Sequence, residues 1–204
     1  MPKKDGDITR ERILKVAEEL FSEKGFDATS INSIALESKV NKATIYYHFK
    51  DKQDIIISLF EGIVEEVEES INQSITAEEK ENLSVKDKIA REIDFLMSKK
   101  KILTVLYMEA LKNNEVGDAF FECAKIVIKQ EFRERLGELD KSKRKKKRDL
   151  FYLHEFFTGF IPIINFVVFG ERWAEYFKYN TKNLNETFMD AFNRSHIKSH
   201  ILKK

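Results

Sequence analysis

Apolar residues recur along this chain at spacings of three and four, the period of a helix. Ile13, Leu14, Val16, Ala17, Leu20 and Phe21 share one face, which predicts a helix over Thr9–Lys24. Asp7 or Thr9 can cap its start, and Gly25 stands where a C-terminal cap glycine belongs. Phe26 then turns back toward the core. A second helix starts at Thr29 or Ser30, carries Ile31, Ile34, Ala35 and Leu36, and ends near Ser38. Lys39 and Val40 make a short turn. Asn41 caps a third helix, Lys42–Phe49, in which Ile45 and Phe49, four residues apart, face inward with Val40. Lys42, Ala43, Thr44, Tyr46, Tyr47 and His48 are left for solvent or a ligand. Asp51 caps a fourth helix, with Asp54 placed to reach back as in a capping box.

The helical pattern continues. The fourth helix, about Lys52–Ile75, has an apolar stripe from Ile55 to Ile71 and an acidic face of Glu65, Glu66, Glu68 and Glu69, read as solvated. Thr76–Leu83 reads as a polar loop. Ser84–Met97, Ile102–Lys112 and Val116–Leu136 read as three more helices, with Gly137 as a C-cap. From Lys141 to Arg148 seven of eight residues are cations, expected as a solvated loop, although such a run can also meet nucleic acid or a membrane. Leu150–Phe169 follows, with fourteen of its twenty residues apolar or aromatic. Pro162 lacks the N–H that would bond to Thr158 and should kink this helix. Glu171–Lys178 extends or follows it, and Leu184–Leu202 forms the last helix.

Composition agrees with an all-α chain. The 204 residues include only two prolines and seven glycines, with 35% charged. A net charge of +1 sets up no global field, so any anion-binding surface must be local. The single cysteine, Cys123, forms no internal disulfide, fits a reducing cytosol and reads as a small buried residue. The N-terminus has no apolar run, so no signal peptide is expected.

Two short helices joined by a tight turn and braced by a longer one have helix-turn-helix geometry, whose second helix enters the major groove. Most hydrogen bonds between protein and DNA go to phosphates. Thr44, Tyr46 and His48 can donate to them, and Lys42 and Lys52 can pair with them. Lys52 also opens a helix, where backbone N–H groups favour an anion. Lys42, Ala43 and Tyr47 are best placed for base edges, and Ala43 can meet a thymine methyl. Thr29, Ser30 and Asn41 complete the DNA-facing set. From composition alone, exposed tyrosines here could equally be core or interface aromatics.

The fuller pattern resolves that alternative. Arg12–Phe21 (RILKVAEELF), Gly25-Phe26, Ala28-Thr29-Ser30, Ile34-Ala35, Thr44–Phe49 (TIYYHF) and Lys52 resemble the DNA-binding domain of the TetR/AcrR family of bacterial regulators. Two positions depart from it. Lys39 stands where the family usually has a turn glycine, at a cost of about 1 kcal/mol if the backbone there is left-handed. Ala43 also stands where the family favours glycine.

The resemblance implies a helix-turn-helix domain over 1–50 and a larger helical effector-binding and dimerisation domain over 51–204. It implies a homodimer through Leu150–Phe169 and Leu184–Ile197, double-stranded DNA with a pseudo-palindromic operator, and a small-molecule effector. The seventeen phenylalanines, nine of them between Phe151 and Phe192, either hint at an apolar or aromatic effector or simply pack the core and seam. Such proteins repress transcription in the cytoplasm until the effector binds.

His154, Thr158, Ile161 and Asn165 recur at helical spacing on an otherwise apolar segment. They line a ligand cavity or meet an internal or cross-subunit partner. Tyr107 and Phe157 complete the candidate ligand set. The rival to a regulator is a membrane-associated or partner-binding helical protein, since Leu150–Phe169 is long enough to span a bilayer. Against membrane insertion, Glu155 would cost about 2–3 kcal/mol at its centre. No HExxH, Walker loop or nucleophile elbow occurs, so neither an enzyme, nor a metal, nor a cofactor is expected.

Overall fold

The computed structural model describes residues 5–73, 85–136 and 141–198. Every regular element among them is helical: α1 (Asp5–Lys24), α2 (Ile31–Glu37), α3 (Lys42–His48), α4 (Lys52–Gln73), α5 (Val85–Ser98), α6 (Lys100–Ala110) and α7 (Asn114–Leu136), followed by α8 (Lys141–His154), a π turn (Glu155–Phe160) and α9 (Ile161–Tyr176). A 3₁₀ turn (Thr181–Asn183), α10 (Leu184–Phe192) and a second π turn (Asn193–Ile197) complete the list.

By its contacts the chain divides into two compact units. Met1–Glu66 and Lys101–Cys123 form the first; Val67–Lys100 and Ala124–Lys204 form the second. The segment 1–50 lies within the first. Its core joins Ile13, Phe21, Ile34, Ile45 and Phe49 to Ile55 and Ile56 of α4 and to Leu106 and Val116 of α6 and α7, all fully or almost fully buried. Packing three short helices alone would bury little apolar surface, and α4, α6 and α7 supply the rest. The Arg10 guanidinium lies 5.1 Å from the Phe49 ring centre and donates to Ser58 Oγ at 3.0 Å, so α1 grips both α3 and α4.

α1 ends as the sequence predicts. Gly25 takes φ 82°, a left-handed conformation cheap only for glycine, and its N–H donates to Phe21 O at 2.9 Å. Asp51 accepts from Asp54 N–H at 2.9 Å, and Asp54 reaches back to Lys50 N–H at 2.8 Å. The reciprocal cap therefore closes one residue earlier than expected.

The second unit has its own core of Ile89 and Ile93 from α5, Phe166 and Ala174 from α9, and Leu184, Met189, Phe192 and Ile197 from the C-terminal helices. Phe166 and Phe188 stack with centroids 3.9 Å apart. Lys86 donates to Asp190 at 2.8 Å, and Lys100 pairs with Glu171.

Three expectations change. The basic run does not form a loop: Lys141 to Arg148 is the opening of α8, continuous with the apolar segment. Straight-chain cations are good helix formers. Around Pro162 the interruption is a π turn, in which Ile161 N–H donates to Phe156 O rather than to a carbonyl four residues back. The last helix is likewise broken by the π turn at Asn193–Ile197. Thr76–Leu83, Gly137 and Leu202 lie outside the described residues.

Candidate nucleic-acid interface

The helix-turn-helix is built by caps at both ends of each short helix. Ser30 is the N-cap of α2. Its Oγ accepts from Ser33 N–H at 3.1 Å, and Ser33 Oγ accepts from Ser30 N–H at 3.1 Å, so a serine takes the place usual for glutamate. α2 closes as a Schellman turn: Val40 N–H donates to Ala35 O at 3.0 Å and Lys39 N–H to Leu36 O at 3.1 Å. That motif requires a left-handed residue at Lys39, which has φ 55°. The family's turn is therefore kept with lysine in the glycine position.

Asn41 then caps α3, its Oδ1 accepting from Thr44 N–H at 2.8 Å and Thr44 Oγ1 at 3.0 Å. Ile45 and Phe49 are buried and anchor the helix. Opposite them Lys42 and Ala43 are exposed, Tyr46 is 54% exposed and Tyr47 83%. His48 is half-buried with its ring edge-on to Tyr47 at 5.0 Å. The two tyrosines contribute no buried packing to α3 and leave their hydroxyls open to solvent or a ligand.

Two expected DNA-facing residues turn inward. Thr29 is 1% exposed, and its hydroxyl donates to the carbonyl oxygens of Gly25 at 2.8 Å and Leu20 at 3.3 Å. It locks the α1–α2 turn and offers no side chain to a ligand. Lys52 Nζ donates to Phe26 O at 2.8 Å and Thr29 O at 2.9 Å, lying over the Phe26 ring. Those bonds occupy the ammonium assigned to phosphate. Thr44 spends its proton on the Asn41 cap. Lys39 and Lys50, absent from the sequence-based set, are exposed at either end of α3 and restore cationic charge there. Their positions flanking the helix were the available signal.

The residues expected around an effector do not assemble into one site. Tyr107 belongs to the first unit and packs against Phe120 at 5.8 Å. The others belong to the second. There Thr158 Oγ1 donates to His154 O at 2.7 Å and lies 3.0 Å from His196 Nδ1, while His196 Nε2 lies 3.1 Å from Glu155 Oε2. Phe157 and Thr158 are exposed; Ile161 and Asn165 are half-buried beyond the π turn. The polar reading of His154 and Thr158 is thus met by an internal partner, His196, and by Glu155, 41 residues from it in sequence. No local pattern connects two side chains so far apart.

An open polar cleft lies in the first unit, lined by Asp51 and Gln53 at the start of α4 and by Lys112, Asn113, Asn114 and Glu115 between α6 and α7. None of the expected effector residues lines it. Lys112 donates to the buried Glu109 carboxylate at 2.8 Å and lies 3.6 Å from Asp27. The Glu109 hydrogen bond, chiefly, raises the Lys112 pKa. Burial pushes the Cys123 thiol up to about 11, and Glu61 and Glu122 add to the effect. Among the described residues no group of three metal-ligating side chains converges.

A family model described as bacterial regulatory proteins of the tetR family matches residues 13–59, which is α1 from Ile13 through the first turns of α4. The fatty acid metabolism regulator protein of Bacillus subtilis is 38% identical over 73 residues, 34% of this chain and 38% of that protein. The regulator AcrR of Shigella flexneri is 42% identical over 59 residues, 29% of this chain and 27% of that protein. The chain thus spans only about a third of the length of these curated relatives. A solved transcriptional regulator of Aquifex aeolicus shares the fold along 91% of this chain and 98% of its own, with a TM-score of 0.60 and 22% identity. The fatty acid degradation regulator FadR of Bacillus halodurans does so over 94% and 96%, with a TM-score of 0.56 and 19% identity. Residues 13–59 thus match the DNA-binding domain of the tetR family of bacterial regulatory proteins, and the chain as a whole shares the fold of solved regulators.

Proposed function

We propose that this protein is a cytoplasmic, ligand-responsive transcriptional regulator that binds a pseudo-palindromic operator as a homodimer. It acts as a repressor released from DNA by a small molecule. TetR-family regulators bind operator DNA and small-molecule effectors and act as dimers. The observation that carries the reading is α3: a capped helix anchored by Ile45 and Phe49, with Lys42, Ala43, Tyr46 and Tyr47 turned to solvent. Lys42, Ala43 and Tyr47 read base edges. Tyr46, His48, Ser30 and Asn41 meet the phosphate backbone, joined by Lys39 and Lys50, while Thr44 holds the Asn41 cap.

A dimer must set its two recognition helices about 34–36 Å apart, or at a multiple of the helical repeat, to enter successive major grooves. An effector that favours another spacing weakens DNA binding, and by linkage DNA weakens effector binding equally. A 100-fold release needs roughly 2.7 kcal/mol of coupling. α4 is the candidate lever, because it opens beside the recognition helix and its residues fall in both compact units.

The second copy docks on the α8–α9 rod. Leu150, Leu153, Phe157, Phe169, Trp173 and Tyr176 are all exposed there, although the second unit already has a core of its own. The effector's class does not come from the relatives named for fatty acids, because the curated one matches only 73 residues, 34% of this chain, and the solved one is only 19% identical. The phenylalanine-rich second unit favours an apolar or aromatic compound.

Among the described residues one helix, Arg148–Tyr176, is long and apolar enough to cross a membrane by length and composition. Its buried Glu155, joined to His196, suits a protein core better. The test is selection of bound duplexes from a random pool, followed by titration of the winner. A pseudo-palindrome bound by a soluble dimer is expected. A detergent-requiring protein, or a pool with no enrichment, overturns the reading.

A further inference from the structure

The exposed apolar residues of the α8–α9 rod do not share a face by ordinary helical arithmetic. Phe157 and Phe169 are twelve residues apart, about 120° around an α-helix at about 100° per residue. Phe157 and Tyr176 are nineteen apart, about 100°. Phe157 itself stands inside the π turn at Glu155–Phe160, the whole of which separates Leu150 from Phe169, and its i→i+5 bonding adds a residue to one turn. Subtracting about 100° brings Phe169 and Tyr176 to within about 20° of Phe157. Leu150 and Phe169 then coincide as well. Burial agrees independently. The residues that the same shift places on the opposite side, Val167 and Ala174, are both fully buried.

Something must hold the π turn, since an α-helix is the better-bonded alternative. Glu155 and His196, each 3% exposed, meet across it at 3.1 Å. His196 sits in the second π turn, where Lys198 N–H donates to Asn193 O, so the two irregular turns face each other through this pair. Thr158 Oγ1 adds a contact to His196 Nδ1 at 3.0 Å. Gly159 makes room: a Cβ there would stand 2.9 Å from His196 Nε2 and 3.1 Å from Glu155 Oε2.

We propose that Glu155, His196 and Gly159 are positioning residues that hold the π turn and thereby phase the rod's exposed apolar residues into one face for a second copy of the chain. The inference rests on the dimer reading above. If the pair is broken, the rod rewinds and Phe169, Trp173 and Tyr176 swing away from Leu150, Leu153 and Phe157. A seam built from both ends of the rod then loses half its contacts.

The full chain can be tested by sedimentation equilibrium over a dilution series, with Trp173, the only tryptophan, reporting by fluorescence whether the face is covered. Five variants serve, each checked for folding by its thermal transition: Glu155→Leu and Gly159→Ala break the pair, Glu155→Gln keeps an acceptor for His196, and Phe157→Glu and Tyr176→Glu probe the face without touching the core. Glu155→Leu and Gly159→Ala should weaken dimerisation at least tenfold, with Glu155→Gln within threefold of the parent. Phe157→Glu, within the π turn, and Tyr176→Glu, at the far end of α9, should both weaken it and expose Trp173. A parent that stays monomeric sinks the dimer reading itself. A dimeric parent whose Glu155→Leu and Gly159→Ala variants associate normally overturns the positioning role alone. Should those two fail to fold, the face probes decide: loss at Phe157 without loss at Tyr176 overturns the re-phasing.

Discussion

Lys52 Nζ lies 2.8 Å from the carbonyl oxygen of Phe26 and 4.2 Å from the centre of its ring. A second bond, to Thr29 O at 2.9 Å, makes the ammonium a strut between the first residue of α4 and the α1–α2 turn. Lys52→Met should therefore destabilise the first unit by about 1.5–3 kcal/mol, the range for hydrogen bonds to a charged group. Operator affinity should fall with it, but the salt dependence should not change. A phosphate contact would act otherwise, lowering the salt slope by about one unit. Thermal unfolding combined with operator titration at several salt concentrations separates the two roles. A flatter salt slope with unchanged stability would return Lys52 to the phosphate backbone.

The exposed and buried sides of α3 should respond in opposite ways. Tyr47→Ala removes a side chain that is 83% exposed, so stability should move by no more than about 0.5 kcal/mol while base preference shifts. Ile45→Ala empties a fully buried site and should cost about 2–5 kcal/mol. Repeating the duplex selection with Tyr47→Ala, beside denaturant curves for both variants, checks this. An unchanged operator preference for Tyr47→Ala and Lys42→Ala would remove α3 as the reading helix.

The helices of the first unit were legible because their information is local. Asn41, Ser30 and Gly25 announce ends within a turn of where they act, and Ile45 and Phe49 declare a face by spacing alone. What was not legible depends on distant partners. Nothing near Thr29 says that its hydroxyl will meet Leu20 O, and nothing near Lys52 says that Phe26 will claim its charge. The π turn was half legible. Pro162 announces an interruption, but its form is set with His196, which stands far along the chain. The basic run misled for another reason: charge density reads as a loop until the apolar helix that continues it is taken into account.

Cys123 should be inert in the native protein. It is buried, and the raised pKa keeps the thiol protonated at neutral pH, whereas the thiolate is the nucleophile. Iodoacetamide at pH 8 should label the folded chain far more slowly than the chain in guanidinium. The sign of the pH effect follows from the same shift. The native thiol holds its proton above the unfolded value of 9.0, so this contribution to stability is complete below about pH 9 and is lost as pH rises toward about 11. Rapid native labelling at pH 8 would contradict the burial.

Lys39 holds φ 55° in the turn before α3, and glycine is the residue that adopts this conformation without a Cβ penalty. Lys39→Gly should relieve about 1 kcal/mol, partly offset by the extra freedom of glycine in the unfolded chain. A gain of that size raises the melting temperature of a chain this long by roughly 2–4 °C. Lys39→Val should do the reverse, because a β-branched side chain tolerates positive φ poorly. DNA binding should move against stability in the glycine variant. Its exposed ammonium is one of the cations left near α3 once Lys52 is turned inward, so removing it should weaken operator binding and lower the salt slope by about one unit. Lys39→Arg keeps the charge with the same backbone cost and should leave both quantities near the parent. If Lys39→Gly proves less stable than the parent, the left-handed turn carries no strain and the loss of glycine there is neutral. If it is more stable and binds the operator with an unchanged salt slope, Lys39 stands clear of the phosphates.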